Sequence, residues 1–205
     1  MLHFQTIDTS TLELLKKLQS QPAFEKLRLV GGTSLALQIG HRKSIDIDLF
    51  GEINADEFEV LSQINSIAQA TIIKKTQNIN IFLLNGIKVD IVNYPYQWLS
   101  PPVKINDLSL ADKKDIAAMK LSAITGRGTR KDFIDLFFLL KQFSLKEMLG
   151  FYKKKYPDGS EFLVLKSLTY FIDAEEDELP LMLIQYNWGA IKKHIQETVK
   201  NYLKQ

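Results

Sequence analysis

The stretch Ser44-Ile45-Asp46-Ile47-Asp48-Leu49 constrains this chain more than any other. Apolar residues at 45, 47 and 49 alternate with carboxylates at 46 and 48, and a period of two reads as a half-buried strand over residues 45–50. The pattern predicts Ile45, Ile47 and Leu49 against a core, with both aspartates on the opposite face. Residues i and i+2 of a strand lie about 7 Å apart at Cα, and two carboxylates that close repel unless a cation or a proton lies between them. Aspartate is also a poor strand former. Two of them in this register argue for a purpose, and their oxygen donors favour Mg²⁺ or Mn²⁺.

Composition removes the competing chemistries. The 205 residues contain no cysteine, which excludes thiol nucleophiles, Cys-ligated zinc and disulfide scaffolds, and three scattered histidines do not supply a His-based cage. At 45% hydrophobic and 24% charged residues the chain has material for a sizeable core. A net charge of +2 is too small to mark a nucleic-acid binder by bulk electrostatics. Residues 1–102 carry 9 basic against 10 acidic groups and residues 103–205 carry 17 against 14, so the second half is only slightly basic. No apolar run reaches the ~18 residues of a membrane span, and no basic leader opens the chain, so a cytoplasmic protein with no membrane partner is expected.

Two further features stand in order with the acidic strand. Gly31-Gly32-Thr33-Ser34 falls between a strand-like run, Leu27 to Val30, and a helical one, Thr33 to Ile39, that stops at Gly40. Glycines there let backbone approach a ligand, the next helix presents unpaired N–H groups, and the two hydroxyls add donors, which together make a phosphate seat. The same turn also serves merely to pack a helix on a sheet. Downstream, Asn85-Gly86 is a hairpin signal, and the strand after it places Asp90 between Val89 and Ile91. That aspartate reads either as a satisfied polar residue or as a third carboxylate beside the pair, completing a site for paired ions ~3.5–4 Å apart.

Around these lie the remaining elements. A helix following Thr9-Ser10 ends at Pro22, and Asn54 with Glu57 begins another that runs to about Ala70. Strands follow over 71–76 and 78–84, and residues 94–102 form a Pro-bounded loop with Tyr94, Tyr96 and Trp98, read chiefly as an anchor. From residue 111 the texture is helical, broken at 125–129, with a final amphipathic helix over 187–203. Phe133, Phe137, Phe138 and Phe143 recur at near-helical spacing and read as core, and Lys153-Lys154-Lys155 reads as a solvated face able to touch an RNA backbone.

Taken together, Gly31-Gly32, Asp46-Ile47-Asp48 and Val89-Asp90-Ile91 resemble the DNA polymerase β-type nucleotidyltransferase superfamily. The fuller string of residues 30–37, His41-Arg42 and residues 44–50 resembles the AbiEii/AbiGii toxin family of bacterial abortive-infection and toxin–antitoxin systems. Residues 115–123, Arg127 and residues 130–136 are similar to that family's later motifs. The resemblance implies an α+β fold: a nucleotidyltransferase-like mixed sheet with helices over 1–102, followed by a helical C-terminal domain, 103–205, that completes the active cleft. It implies nucleotidyl transfer from an NTP to an acceptor hydroxyl with Mg²⁺ or Mn²⁺, RNA and in particular the tRNA 3′ end as acceptor, and a cognate antitoxin as partner. Asp46, Asp48 and Asp90 would hold metal. Gly31, Gly32, Thr33, Ser34 and Arg42 would bind the nucleotide, and Lys120 would contact its phosphates. The family's last acidic position falls on Asp132 or Asp135. A protein or small-molecule acceptor, or a non-catalytic module that binds a nucleotide or a partner, stays open at this stage.

Overall fold

The structure, a computed structural model, describes residues 1–204. They form two compact units, Met1–Pro95 with Pro101–Ala111, and Tyr96–Ser100 with Asp112 onward.

The first unit runs α1 (Thr9–Gln19), β1 (Arg28–Leu29), α2 (Gly31–Ile39), β2 (Ile47–Gly51), α3 (Glu57–Ile67), β3 (Ala70–Lys75), β4 (Ile79–Leu84), β5 (Ile87–Asn93), β6 (Val103–Ile105) and β7 (Leu108–Leu110). Its strands make one seven-stranded mixed sheet in the order β3-β4-β5-β2-β1-β7-β6. The pairs β2/β5 and β1/β7 are parallel and the rest antiparallel. The apolar set of the strands, with Leu29, Ile47, Leu49, Phe82, Val89 and Ile91 at its centre, packs with Leu15 and Leu18 of α1 and Ile64 of α3. The fold is the α+β arrangement that the resemblance implies, a mixed sheet with helices and a helical C-terminal region.

Several boundaries differ from the sequence reading. Strand β2 begins at Ile47, where pairing with Val89 begins, and Ile45 lies beyond any partner strand and is 61% exposed. The period of two therefore continues past the end of the sheet, and Ile45 does not join the core. Helix α1 starts at Thr9 after Asp8, so Thr9 and Ser10 lie inside it. Helix α3 is capped by Asp56, whose side chain accepts from the Glu59 N–H at 2.9 Å, two residues later than the Asn54 start expected. The hairpin at Asn85-Gly86 is present, with φ of 51° and 82°, the two left-handed positions a type I′ turn requires. A second hairpin, β6–β7, turns at Asn106-Asp107 with φ of 51° and 62°. Its strands have three residues each, too short for periodicity to reveal.

The second unit is helical: α4 (Lys113–Gly126), α5 (Arg130–Leu140), α6 (Leu145–Lys155), α7 (Glu161–Ser167), α8 (Ile172–Glu175) and α9 (Trp188–Tyr202). Helix α4 contacts α5, α6 and α7, while α9 packs on α5 and α6. Asp112, Ser144, Ser160 and Asn187 each cap a helix through the side chain. Phe133 and Phe138 are buried, as their spacing predicts, whereas Phe137 and Phe143 are only half-buried. Among the described residues no helix is long and apolar enough to cross a membrane.

One basic residue overturns its reading. Lys155, expected on a solvated face, is fully buried, and its ammonium sits 2.7 Å from Asp115. It also donates to the Gln97 carbonyl at 3.2 Å and lies 4.4 Å from the centre of the Trp98 ring. Asp115 in turn accepts from the N–H groups of Leu99 and Ser100 at 3.0 and 3.3 Å. The aromatic segment 96–100 is thus anchored, and Tyr96 adds an edge contact with Tyr156 at 4.8 Å. Removing one partner of a buried pair leaves an uncompensated charge, at a cost of about 3–5 kcal/mol. Lys155→Met is expected to lower the unfolding free energy by about 3 kcal/mol. Both tryptophans, Trp98 and Trp188, belong to this unit. A urea titration followed by tryptophan fluorescence reads the change, and an unshifted midpoint contradicts it.

Candidate active site

The sheet brings the first unit's acidic residues together by register. Asp48 on β2 is directly opposite Asp90 on its parallel neighbour β5, and Asp46 precedes Asp48 by two residues on the extended chain, just before the strand begins. All three are partly exposed, while Ile47, Leu49, Val89 and Ile91 between them are buried. This is the arrangement that alternation produces: carboxylates on one face, core on the other. Asp90 has a local cation, the Lys88 ammonium two residues back on the same strand at 2.7 Å.

The glycines sit one step later in the architecture than a linking turn would place them. Gly31 and Gly32 are the first two residues of α2 rather than a break before it. Gly31 has φ +67°, and a Cβ there would stand 2.1 Å from Asp48 Oδ2. A Cβ on Gly32 would stand 2.2 Å from Arg42 Nη2. Gly31 is required by its left-handed backbone and by the Asp48 carboxylate filling the space of a side chain, while at Gly32 the end of the flexible Arg42 side chain takes that space. The first turn of α2 lies against Asp48 on one side and Arg42 on the other, and a helix N-terminus carries N–H groups without intrahelical partners.

The hydroxyls expected to face a phosphate turn inward. Thr33 is buried and bonds to the Asp46 carbonyl, with Ser44 Oγ 2.9 Å away. Ser34 is buried, and its Oγ accepts from Gln38 Nε2 at 3.2 Å. Thr33 thereby ties the start of α2 to the acidic segment. Arg42 is 3% exposed and donates through Nη1 to the Lys43 carbonyl at 2.9 Å, while the Lys43 ammonium pairs with Asp8 at 3.1 Å. His41 is fully buried.

In the second unit the later motif is a closed ionic network. Lys120 of α4 bridges Asp132 at 2.9 Å and Asp135 at 2.5 Å, both one turn apart on α5. Asp132 also accepts from Arg127 Nε at 3.0 Å and from Thr129 Oγ1 at 2.6 Å. Lys120, Asp132 and Asp135 are all buried. Burial pushes the Asp132 carboxyl up, yet Lys120, Arg127 and Thr129 together hold it well below the usual carboxylate range. Sequence reading singled out both aspartates. That they share one lysine follows only from the packing of α4 on α5.

Among the described residues no three or more His, Asp or Glu side chains gather into a group able to hold a metal by themselves. The donors fit a different mode. Mg²⁺ is held by one or two carboxylates together with substrate phosphates and water. Asp46 and Asp48 supply such a pair next to a helix N-terminus suited to phosphate, so the residues present suit a cation that arrives with a triphosphate.

Two outcomes test this geometry. Gly31→Ala forces both a left-handed alanine and displacement of the Asp48 carboxylate, and is expected to cost about 1–2 kcal/mol in urea unfolding. For Asp132 the depressed pKa sets the sign. Its contribution is fully present above the ordinary value of 3.8 and is lost as pH falls toward the folded pKa. The stability difference between wild type and Asp132→Asn should therefore be constant above about pH 5 and shrink below about pH 4. A pH-independent difference in urea midpoints contradicts the assignment.

The family described as nucleotidyl transferase AbiEii toxin, type IV toxin–antitoxin system, matches residues 13–203. An uncharacterized protein of Aquifex aeolicus (strain VF5) is 38% identical over 197 residues, spanning 93% of this chain and 95% of its own length. In fold, the chain is similar to JHP933 of Helicobacter pylori, with TM-score 0.61, 18% identity and coverage of 95% of this chain and 92% of that one. It is also similar to MenT4, a nucleotidyltransferase toxin of Mycobacterium tuberculosis, with TM-score 0.54, 14% identity and coverage of 94% and 82%.

Proposed function

From the premise that the chain belongs to the AbiEii nucleotidyl transferase toxin family, we propose that it moves a nucleoside monophosphate from an NTP to the 3′-terminal hydroxyl of a tRNA, acting as the toxin of a pair with a cognate antitoxin. The observation that carries this reading is the backbone of Gly31 pressed against the Asp48 carboxylate at the start of α2. It brings a phosphate-binding helix end and an acidic oxygen donor to one place.

In the transfer the acceptor oxygen forms a bond to the α-phosphorus, the α–β phosphoanhydride bond breaks and pyrophosphate leaves. Asp46 and Asp48 are the residues that would hold Mg²⁺ or Mn²⁺, which when bound lowers the pKa of a coordinated hydroxyl and neutralises phosphate charge. The N–H groups of Gly32 and its neighbours at the start of α2 receive the triphosphate, and Arg42, packed over Gly32, adds a guanidinium for phosphate oxygens. Thr33 positions Asp46 through its carbonyl. Asp90 is the third carboxylate of the set, and in that role exchanges its Lys88 partner for a cation or for the proton of the acceptor hydroxyl. Lys120 is assigned as the cation that balances phosphate charge. That role rests on the family resemblance alone; in its own unit the ammonium is buried and bridges Asp132 and Asp135.

The test is incubation with each labelled NTP, Mg²⁺ or Mn²⁺, and total RNA or cell extract. Label on tRNA is expected, abolished by EDTA. Asp46→Asn and Asp48→Asn are each expected to reduce incorporation by at least about 100-fold, since even groups that only support a metal ligand contribute 10–100-fold. Label on protein or a small molecule overturns the RNA acceptor. No incorporation into any acceptor, with unimpaired growth on expression, overturns the transfer itself.

A further inference from the structure

Strand register sets four residues in one row across the sheet. Asp48 on β2 is opposite Asp90 on β5, Asp90 is opposite Ile81 on β4, and Ile81 is opposite Lys74 on β3, the edge strand. Residues paired across strands point to the same face, and at ~4.8 Å per strand the row spans about 14 Å. It leads from the acidic centre to the sheet edge on the face away from the core.

That face mixes aliphatic side chains with charge: Lys88, opposite Leu83 and paired with Asp90, is partly exposed on it. Along β4, Ile79, Ile81 and Leu83 share the face with Asp90, and Ile79 and Leu83 are 37% and 38% exposed. A bulge between Ile72 and Lys74 lifts Ile73, 56% exposed, at the edge. Lys74 is exposed and enters none of the ion pairs among the described residues, whereas Lys75, one residue on, is tied to Glu57 of α3. Aliphatic side chains that run from the carboxylates to the Lys74 ammonium, with Lys88 alongside Leu83, complement a polymer with apolar flat faces and an anionic backbone.

We propose that this row is the docking surface for a single-stranded RNA, its terminal hydroxyl at Asp48 and Asp90, the preceding bases flat on Ile81 and Leu83, and a backbone phosphate on Lys74. The inference rests on the nucleotidyl-transfer reading above and names the acceptor subsite within it. Burial of base faces on aliphatic side chains supplies the apolar part. The lysine supplies a salt-sensitive part, because each phosphate neutralised on a single strand contributes about 0.7 to the slope of log K against log salt.

The experiment measures fluorescence anisotropy of a labelled short single-stranded oligoribonucleotide with the full chain, in EDTA, across a NaCl series. Lys74→Gln is expected to weaken binding several-fold and reduce the salt slope by about 0.7, with Lys74→Arg restoring both. Leu83→Thr is expected to weaken binding several-fold with the slope unchanged. Lys104→Gln, on the strand at the opposite edge of the sheet, should change neither. Wild-type affinity and slope in Lys74→Gln, or equal weakening by Lys104→Gln, overturns the surface. The two readings fail separately. If wild type labels tRNA while Lys74→Gln binds RNA unchanged, the docking row falls and the transfer stands. If wild type labels no RNA yet binds it through Lys74, the transfer to RNA falls and the row stands.

Discussion

The first unit is organised around the contact between the Gly31 backbone and the Asp48 carboxylate. Any side chain at 31 would overlap the Asp48 oxygen, and the backbone there is left-handed, so the position accepts glycine on two independent grounds. The contact fixes where α2 begins relative to β2. With it come the N–H groups of the first helical turn, the Arg42 guanidinium over Gly32, and the Thr33 bond to the Asp46 carbonyl. A helix end suited to anions is thereby held beside carboxylates that repel them.

The second unit relies on buried charge of a different kind. Lys120 sits between Asp132 and Asp135, and Lys155 between Asp115 and the Trp98 ring. Such pairs add little net stability compared with apolar packing, because both ions give up hydration. Their consequence is geometric. A buried ammonium needs its carboxylates at hydrogen-bonding distance, so α4 is held in register with α5 at one point and with α6 and the 96–100 segment at another. Lys120 is thus held on α4 by two carboxylates of α5.

The chain belongs to a nucleotidyl transferase toxin family, and its fold is shared with solved structures from Helicobacter pylori and Mycobacterium tuberculosis. The carboxylate set is sparse by comparison with a self-sufficient metal cage.

The alternating carboxylates, the glycine-led helix, the first hairpin and the change from mixed α/β to helical texture are legible in the residues alone. These are encoded in local periodicity and in residues with special backbone freedom, which act over a few positions. Periodicity misplaced Ile45, because alternation does not reveal where strand pairing ends. It missed β6 and β7, whose three-residue strands carry no resolvable period. A lysine run on a helix looked solvated, and only the packing of α6 against α4 turned Lys155 inward to Asp115. The shared register of Asp48 and Asp90, the turn of Thr33 toward Asp46 rather than solvent, and the joining of both candidate aspartates by Lys120 emerge only in the folded chain. Those are contacts between segments distant along the chain, and their geometry is set by sheet pairing and helix packing rather than by any neighbouring residue.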